Sequence, residues 1–444
     1  MIEQSRTGRQ SPEEKKRGLA MELYHGSIVY SPSAEKLEEH TDSYLAVEGG
    51  VVEGIYPTVP ESLRGAPVTE LGQNVLIPAF SDLHVHAPQY PQRGLAMDEL
   101  LPDWLAHHTF PLEARFADLD FARAVYDAFV DDLIAHGTLH AVVFGTIHPA
   151  STGYLLSRLE SLGLDAYVGK VNMDTASPDE LRETTEGSLR ETARFLEQYG
   201  ANRHARPILT PRFAPTCSRE LLFGLGRLGA KYGVGLQTHL VESRWEAAEA
   251  KRLFQDCSCD TQIYERAGLL DNGPVVGAHF IFPSQEDIRI LKKHGGWAVQ
   301  CPDATISVIA GIMSAGALAD AGVKLALGSD LAAGHSAAVY TQAARAVQLG
   351  KLKAFYEPEG NRAISFAQAF HMATKQGGAL FGKVGSFEPG YRFDALAIGG
   401  VADAFQPLTP AQTVERFCYA GETKHIRARY LAGKKLGERG GETI

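Results

Sequence analysis

The chain has 444 residues, 44% of them hydrophobic and 22% charged, with a formal net charge of −10; this is ordinary globular usage and excludes a disordered, collagen-like or membrane-embedded polypeptide. No apolar run approaches the ~18 residues of a membrane span, and an acidic chain without a Lys/Arg cluster lacks the basic footprint of a nucleic-acid partner. Five scattered cysteines argue against a disulfide framework and make a reducing cytoplasm the expected compartment.

Residues 1–20 are polar, lack the apolar segment of a secretory signal and read as a loose tail. From Met21 the pattern is strand-like. Residues 22–30 and 44–56 are rich in β-formers, and Gly49-Gly50 reads as a hairpin turn. After Pro78, apolar strand-like runs alternate with longer amphipathic stretches. The runs are 80–86, 139–147, 166–173, 207–213, 234–240, 275–279, 297–301 and 324–330, and eight in about 250 residues is the count of a (β/α)8 barrel. Among the intervening helices, Phe121, Val125, Ala128, Phe129 and Leu133 mark one apolar face ending at Gly137, and Ser177-Pro178-Asp179-Glu180 predicts a helix start. Beyond Gly385 short strands return at 393–398, 414–419 and 426–436. The expected fold class is therefore α/β: a TIM-like (β/α)8 barrel over 78–385, with a small β-sandwich domain built from 21–77 and 386–444.

Candidate chemistry gathers at the predicted strand ends. His84 and His86 stand two apart on one strand, so both imidazoles project to the same face, as a chelate requires. An H-x-H pair alone is a weak signal, but His239, His279 and Asp330 close three further strands, and the carboxyl ends of barrel strands converge where active sites form. Imidazoles with a carboxylate suit a divalent transition metal, zinc or iron. No lysine ends the fourth strand, so one metal is the simpler expectation. Glu242, three residues after His239, is placed to shuttle protons in metal-assisted hydrolysis.

These residues also carry a family resemblance. HVHAPQYPQRG, DWLAHHTFPLEARF, GKVNMD, TPRFAPTCS, QTHLVES, VVGAHF, LGSDLAAGHS and the closing GSFEPGYRFDAL resemble the amidohydrolase superfamily and, within it, the guanine deaminases. The resemblance runs from about Val75 to Tyr391. It implies one zinc ion bound by His84, His86, His239 and Asp330, catalytic roles for Glu242, His279 and Asp330, and a purine held by Gln89, Arg212 and Phe213. It also implies a homodimer. A guanidinium fork, an amide and an aromatic ring are suited to a flat heterocycle bearing a carbonyl. Gln300, Asp303 and Thr305 depart from an HCPxSN pattern, and Phe280 is bulkier than expected, which leaves open a pterin or an oxidised purine as the heterocycle. A non-catalytic barrel scaffold is the rival from another class, and the complete ligand set with Glu242 argues against it.

Three features read as decoys. The GxGxxG at 224–229 follows a helix-like run instead of a strand. Cys257 and Cys259 have the wrong spacing for a zinc finger. His107 and His108, adjacent on a helix, point ~100° apart.

Overall fold

The computed structural model describes residues 21–437, so the tail expected over 1–20 lies outside the described residues. Four strands open the chain: β1 (Met21–Ser33), β2 (Lys36–Glu48), β3 (Val51–Tyr56) and β4 (Val68–Pro78). Ten follow within the barrel region: β5 (Phe80–His86), β6 (Thr138–Phe144), β7 (Asp165–Gly169), β8 (Val171–Asn172), β9 (Ala205–Pro207), β10 (Thr210–Pro211), β11 (Leu236–Leu240), β12 (Val275–His279), β13 (Trp297–Gln300) and β14 (Lys324–Leu327). The last three are β15 (Ala395–Ile398), β16 (Ile426–Leu431) and β17 (Lys434–Lys435).

The barrel is two four-stranded parallel arcs, β5-β6-β7-β9 and β11-β12-β13-β14. Strands covered on both faces need no polar alternation, and β5, β6 and β7 are buried along their whole length. The first seam between the arcs runs through Leu209, whose carbonyl accepts Gln237 N–H at 2.9 Å. The second joins the chain's last barrel strand to its first: Asp330 N–H donates to His84 O at 2.8 Å and His86 N–H to Leu331 O at 3.2 Å. Gly328 makes that approach possible, since a Cβ there would stand 2.8 Å from His84 Cβ and 2.9 Å from Cys301 Sγ. The third and fourth runs each break into two pieces, with β8 and β10 pairing in parallel beyond β7 and β9.

Both chain ends contribute to a single mixed sheet of seven strands, ordered β17-β16-β15-β4-β1-β2-β3. Strand alternation divides its faces. Ile28, Leu45 and Leu76 pack with Phe387, Phe393 and Tyr430 in a small core of their own, whereas Val29, Val75 and Ile77 join the barrel's core.

Two local expectations are corrected. Residues 414–419 are not a strand but part of the helix Pro410–Ala420, which Thr409 and Gln412 start with a capping box around an N-terminal proline. Val414, Phe417 and Cys418, spaced i, i+3, i+4, are its buried face, and that spacing outweighs their β propensity. Ser177-Pro178-Asp179-Glu180 does not start a long helix; Asp179–Leu181 is one 3₁₀ turn, and the helix begins at Thr185 behind Thr184. Thr184 caps that start by accepting Gly187 N–H at 3.1 Å, and the carboxylate of the preceding Glu183 is held by the buried Lys170 at 2.6 Å and by Ser188 at 2.7 Å. Among the described residues no helix is long and apolar enough to cross a membrane.

A buried polar chain ties the seven-stranded sheet to the barrel. Ser81 Oγ meets His140 Nδ1 at 3.1 Å, His140 Nε2 meets Asp394 Oδ2 at 2.9 Å, and Arg392 joins Asp394 to Asp165. Burial alone would raise the Asp394 carboxyl, but the hydrogen bonds and charges of His140 and Arg392 outweigh it and hold the group below its ordinary value. Its stabilising contribution is therefore present above the usual aspartate range and lost as pH falls through the depressed value. Asp394→Ala removes the carboxylate that joins His140 to Arg392 in a buried site and is expected to lower stability by about 3–5 kcal/mol in urea denaturation at neutral pH, with the difference from the parent shrinking as the pH is taken below 4.

Candidate active site

The strand ends on which the sequence placed its chemistry meet in one buried cluster. His84, His86, Gln89, Arg212, His239, His279 and Asp330 are all buried, while Glu242 and Phe213 are partly so. Ligand atoms of His84, His86 and His239 lie within 4.8 Å of one another, and so do those of His84, His279 and Asp330. The backbone is strained at three of the corners that deliver these side chains: Val241, His279 and Asp330 have φ of 46°, 73° and 46°, a region that non-glycine residues seldom occupy and that clusters at functional sites.

Hydrogen bonding fixes how the imidazoles are presented. His239 donates Nδ1–H to the Arg212 carbonyl at 2.7 Å, which leaves a lone pair on its Nε2. That nitrogen faces His86 Nε2 at 3.1 Å. His84 Nε2 is buried without a hydrogen-bond partner, 3.2 Å from Asp330 Oδ1. Burial, then the neighbouring histidines, pushes His86 and His239 well below the usual imidazole range. Burial takes His279 down to about 3 against the opposing pull of Asp330. Imidazole nitrogens that converge in this way beside a carboxylate form a donor set that fits a divalent metal. Glu242 carries the opposite perturbation, pushed up to about 8 by burial and then by the charge of Asp330. His279 Nε2 stands between the two carboxylates, 3.7 Å from Glu242 and 3.8 Å from Asp330.

Two residues that sequence reasoning missed hold the cluster in place. Asp82 is fully buried and accepts His84 N–H at 3.1 Å, Ser329 N–H at 3.0 Å and the Ser329 hydroxyl at 2.5 Å. Its alternation with His84 and His86 on β5 was the available signal. Glu113 is the second. It pairs with both terminal nitrogens of Arg212, at 2.7 and 3.2 Å, and accepts from Gln89 Nε2 at 3.0 Å. Gln89 Oε1 in turn accepts Ala332 N–H at 3.3 Å, so the amide's orientation is fixed at both ends. Arg212 lies over Phe110 at 5.3 Å. Phe213 stands 6.4 Å from His239 and 6.2 Å from Trp245 between ring centroids. No spacing rule connects residue 113 to residue 212, although an arginine flanked by apolar residues requires a buried counter-ion.

The remaining singled-out residues take no part in the side-chain contacts just described. Asp303 turns its carboxylate to Arg345 at 2.5 Å and Gln342 at 2.7 Å. Gln300 is buried with both amide atoms unpartnered, Thr305 is buried, and Phe280 is fully enclosed. The 224–229 glycines fall inside the helix Arg219–Tyr232, where Gly226 lets the Ala267 carbonyl approach. His107 and His108 both bind Glu99, at 3.0 and 3.1 Å, and Cys257 and Cys259 line a separate cavity of about 170 Å³.

A (β/α)8 barrel carrying a histidine–aspartate cluster at its strand ends defines a metal-dependent hydrolase class, and comparison with known proteins makes the assignment definite. The amidohydrolase family model matches residues 75–425, and the chain belongs to that family. It is 30% identical to the guanine deaminase of Dictyostelium discoideum, over 95% of this chain and 99% of that one. It is 32% identical to that of Homo sapiens, over 93% and 96%. The crystal structure of guanine deaminase from C. acetobutylicum, with guanine bound in its active site, superposes with a TM-score of 0.91 at 37% identity, covering 94% of this chain and 100% of that one.

Glu113→Ala would strand the Arg212 guanidinium in a buried site. The variant is expected to lose about 3–5 kcal/mol of stability in urea denaturation, and Glu113→Gln, which keeps an acceptor for Arg212, to lose less.

Proposed function

We propose that this chain catalyses the hydrolytic deamination of guanine to xanthine and ammonia, using one zinc ion held by His84, His86, His239 and Asp330. The observation that carries the reading is a juxtaposition: that donor set shares one strand-end face with the Gln89–Glu113–Arg212 unit, in a chain 37% identical to a protein crystallised with guanine in its active site. The cytoplasmic location expected from the few scattered cysteines and the homodimer implied by the family resemblance belong to the same proposal.

The chemistry that such an ion supplies is a lower pKa for water, toward ~7, and hence a nucleophile at neutral pH. The rest falls to side chains of this chain. Arg212 is locked by Glu113 yet keeps a further N–H on each terminal nitrogen, suited to a ring carbonyl. Gln89, oriented by Glu113 and Ala332, offers one donor and one acceptor to the ring edge. Phe213 supplies an apolar face.

As the water oxygen bonds to the ring carbon bearing the amine, its proton passes to Asp330. Glu242, whose carboxyl burial pushes upward, delivers a proton to the adjacent ring nitrogen, so the ring accepts the electron pair without building up charge. Breaking the carbon–nitrogen bond restores the ring. The departing amine takes up the proton held by Asp330, and Glu242 recovers its own from the ring nitrogen or the new hydroxyl. Neutral His279, between the two carboxylates, steadies the attacking oxygen.

The decisive experiment is a panel of guanine, other aminopurines and pterins scored for ammonia release, together with metal analysis. Zinc at one equivalent and preference for guanine are expected. A zinc-loaded protein that turns over a pterin and ignores guanine would overturn the substrate, and a metal-free inert preparation the enzyme reading itself. Glu242→Gln is expected to keep its metal and lose about 10²–10⁴-fold in kcat.

A further inference from the structure

Behind Glu242 stand two buried carboxyl groups that the chemistry above does not use. Glu246, on the first turn of the helix Arg244–Leu253, is 2% exposed, and Asp260, at the start of the helix Asp260–Arg266, is 4% exposed. Each accepts a backbone N–H from the corner that presents Glu242. Glu246 Oε2 takes Glu242 N–H at 2.7 Å, and Asp260 Oδ2 takes Val241 N–H at 3.3 Å. That corner needs holding, because Val241 is β-branched and sits at φ 46°, a genuine outlier for such a side chain.

The other oxygen of each group, Glu246 Oε1 and Asp260 Oδ1, is buried with no donor. The two side chains are within hydrogen-bonding reach of each other, and burial pushes both carboxyls upward. The other charged groups acting on them are also acidic: Glu242 on Glu246, and Asp287 on Asp260. Asp287 is already engaged by Thr261 and Ser284. An ionised carboxylate has only acceptor atoms, and two of them side by side away from water cannot both stay ionised.

We propose that Glu246 and Asp260 share one proton and, as a hydrogen-bonded pair, clamp the Val241–Glu242 backbone so that Glu242 is aimed at the reacting atoms. Both are positioning residues for proton transfer, and the inference rests on the catalytic reading of Glu242 given above. An amide can accept the backbone N–H and donate to the partner carboxylate, so Gln at 246 or Asn at 260 can replace the shared proton. Alanine at 246 or leucine at 260 cannot.

The test is a kinetic series on the zinc-loaded protein, run on the substrate that the panel selects. Glu246→Ala is expected to lower kcat about 10–100-fold, at the lower end of what proton-transfer catalysis contributes, with KM and zinc content near those of the parent. Glu246→Gln should restore kcat to within a few-fold. If Glu246→Ala fails to fold, Asp260→Leu against Asp260→Asn carries the same contrast. An alanine variant with parental kcat, or a glutamine variant as poor as alanine, overturns the proposal. Infrared difference spectroscopy gives a readout independent of turnover. Apart from the band of Glu242, which Glu242→Gln removes, the parent should show a second protonated-carboxyl C=O stretch at neutral pH that Glu242→Gln leaves in place and that Glu246→Gln and Asp260→Asn each remove. Absence of that band overturns the shared proton even if the enzyme is active, and its presence in a protein inert on the whole panel upholds the pair while overturning the catalytic reading.

Discussion

The seam between the last barrel strand and the first is the constraint on which the site depends. Asp330 N–H and His86 N–H bond across it to His84 and Leu331 carbonyls, and the Asp82 carboxylate spans it by accepting from both His84 and Ser329. This brings an aspartate from residue 330 beside two histidines from residues 84 and 86. Without the seam the eight strands would be an open sheet, and the carboxylate would have no imidazoles to meet. Gly328 is the steric condition for it, since any side chain there would collide with His84 and Cys301.

Charge compensation in a low-dielectric interior organises what surrounds the seam. Arg212 cannot be buried without a counter-ion, and Glu113 supplies it while also fixing the Gln89 amide. The Arg212 carbonyl, at the other end of the same residue, sets the tautomer of His239. One residue thus couples the side that would hold a heterocycle to the side that would hold a metal. The same logic recurs at the base of the barrel, where Asp394 joins His140 to Arg392 and fastens the seven-stranded sheet. Glu246 and Asp260 differ because no cation among the described residues pairs with them, and this makes a retained proton the physical resolution.

Much of this was legible in the linear order. The runs at 80–86 and 275–279 coincide with β5 and β12, because a strand buried on both faces is an uninterrupted apolar run bounded by abrupt turns. Where the pattern was short, local chemistry misled. Residues 414–419 are β-branched or aromatic at half of their positions, yet the capping box at Thr409 and the buried i, i+3, i+4 face make them helical. The polar partners were not legible at all. Glu113, Glu246 and Asp260 each lie on a helix, and nothing in a helix's own periodicity distinguishes a buried glutamate from a solvated one.

The sequence by itself determined the alternation of strands and helices, the pairing of both chain ends into β-structure, and the positions of the histidines, Asp330 and Glu242 at strand ends. These follow from hydrophobic period and from the two-residue repeat of a strand, both local properties. Only the tertiary structure decided which nitrogens face which oxygens, which imidazole carries its proton where, and which acids stand behind Arg212 and Glu242. Those outcomes depend on contacts between residues far apart in the chain, as between Glu113 and Arg212, 99 positions apart, or between helices that only the barrel brings side by side.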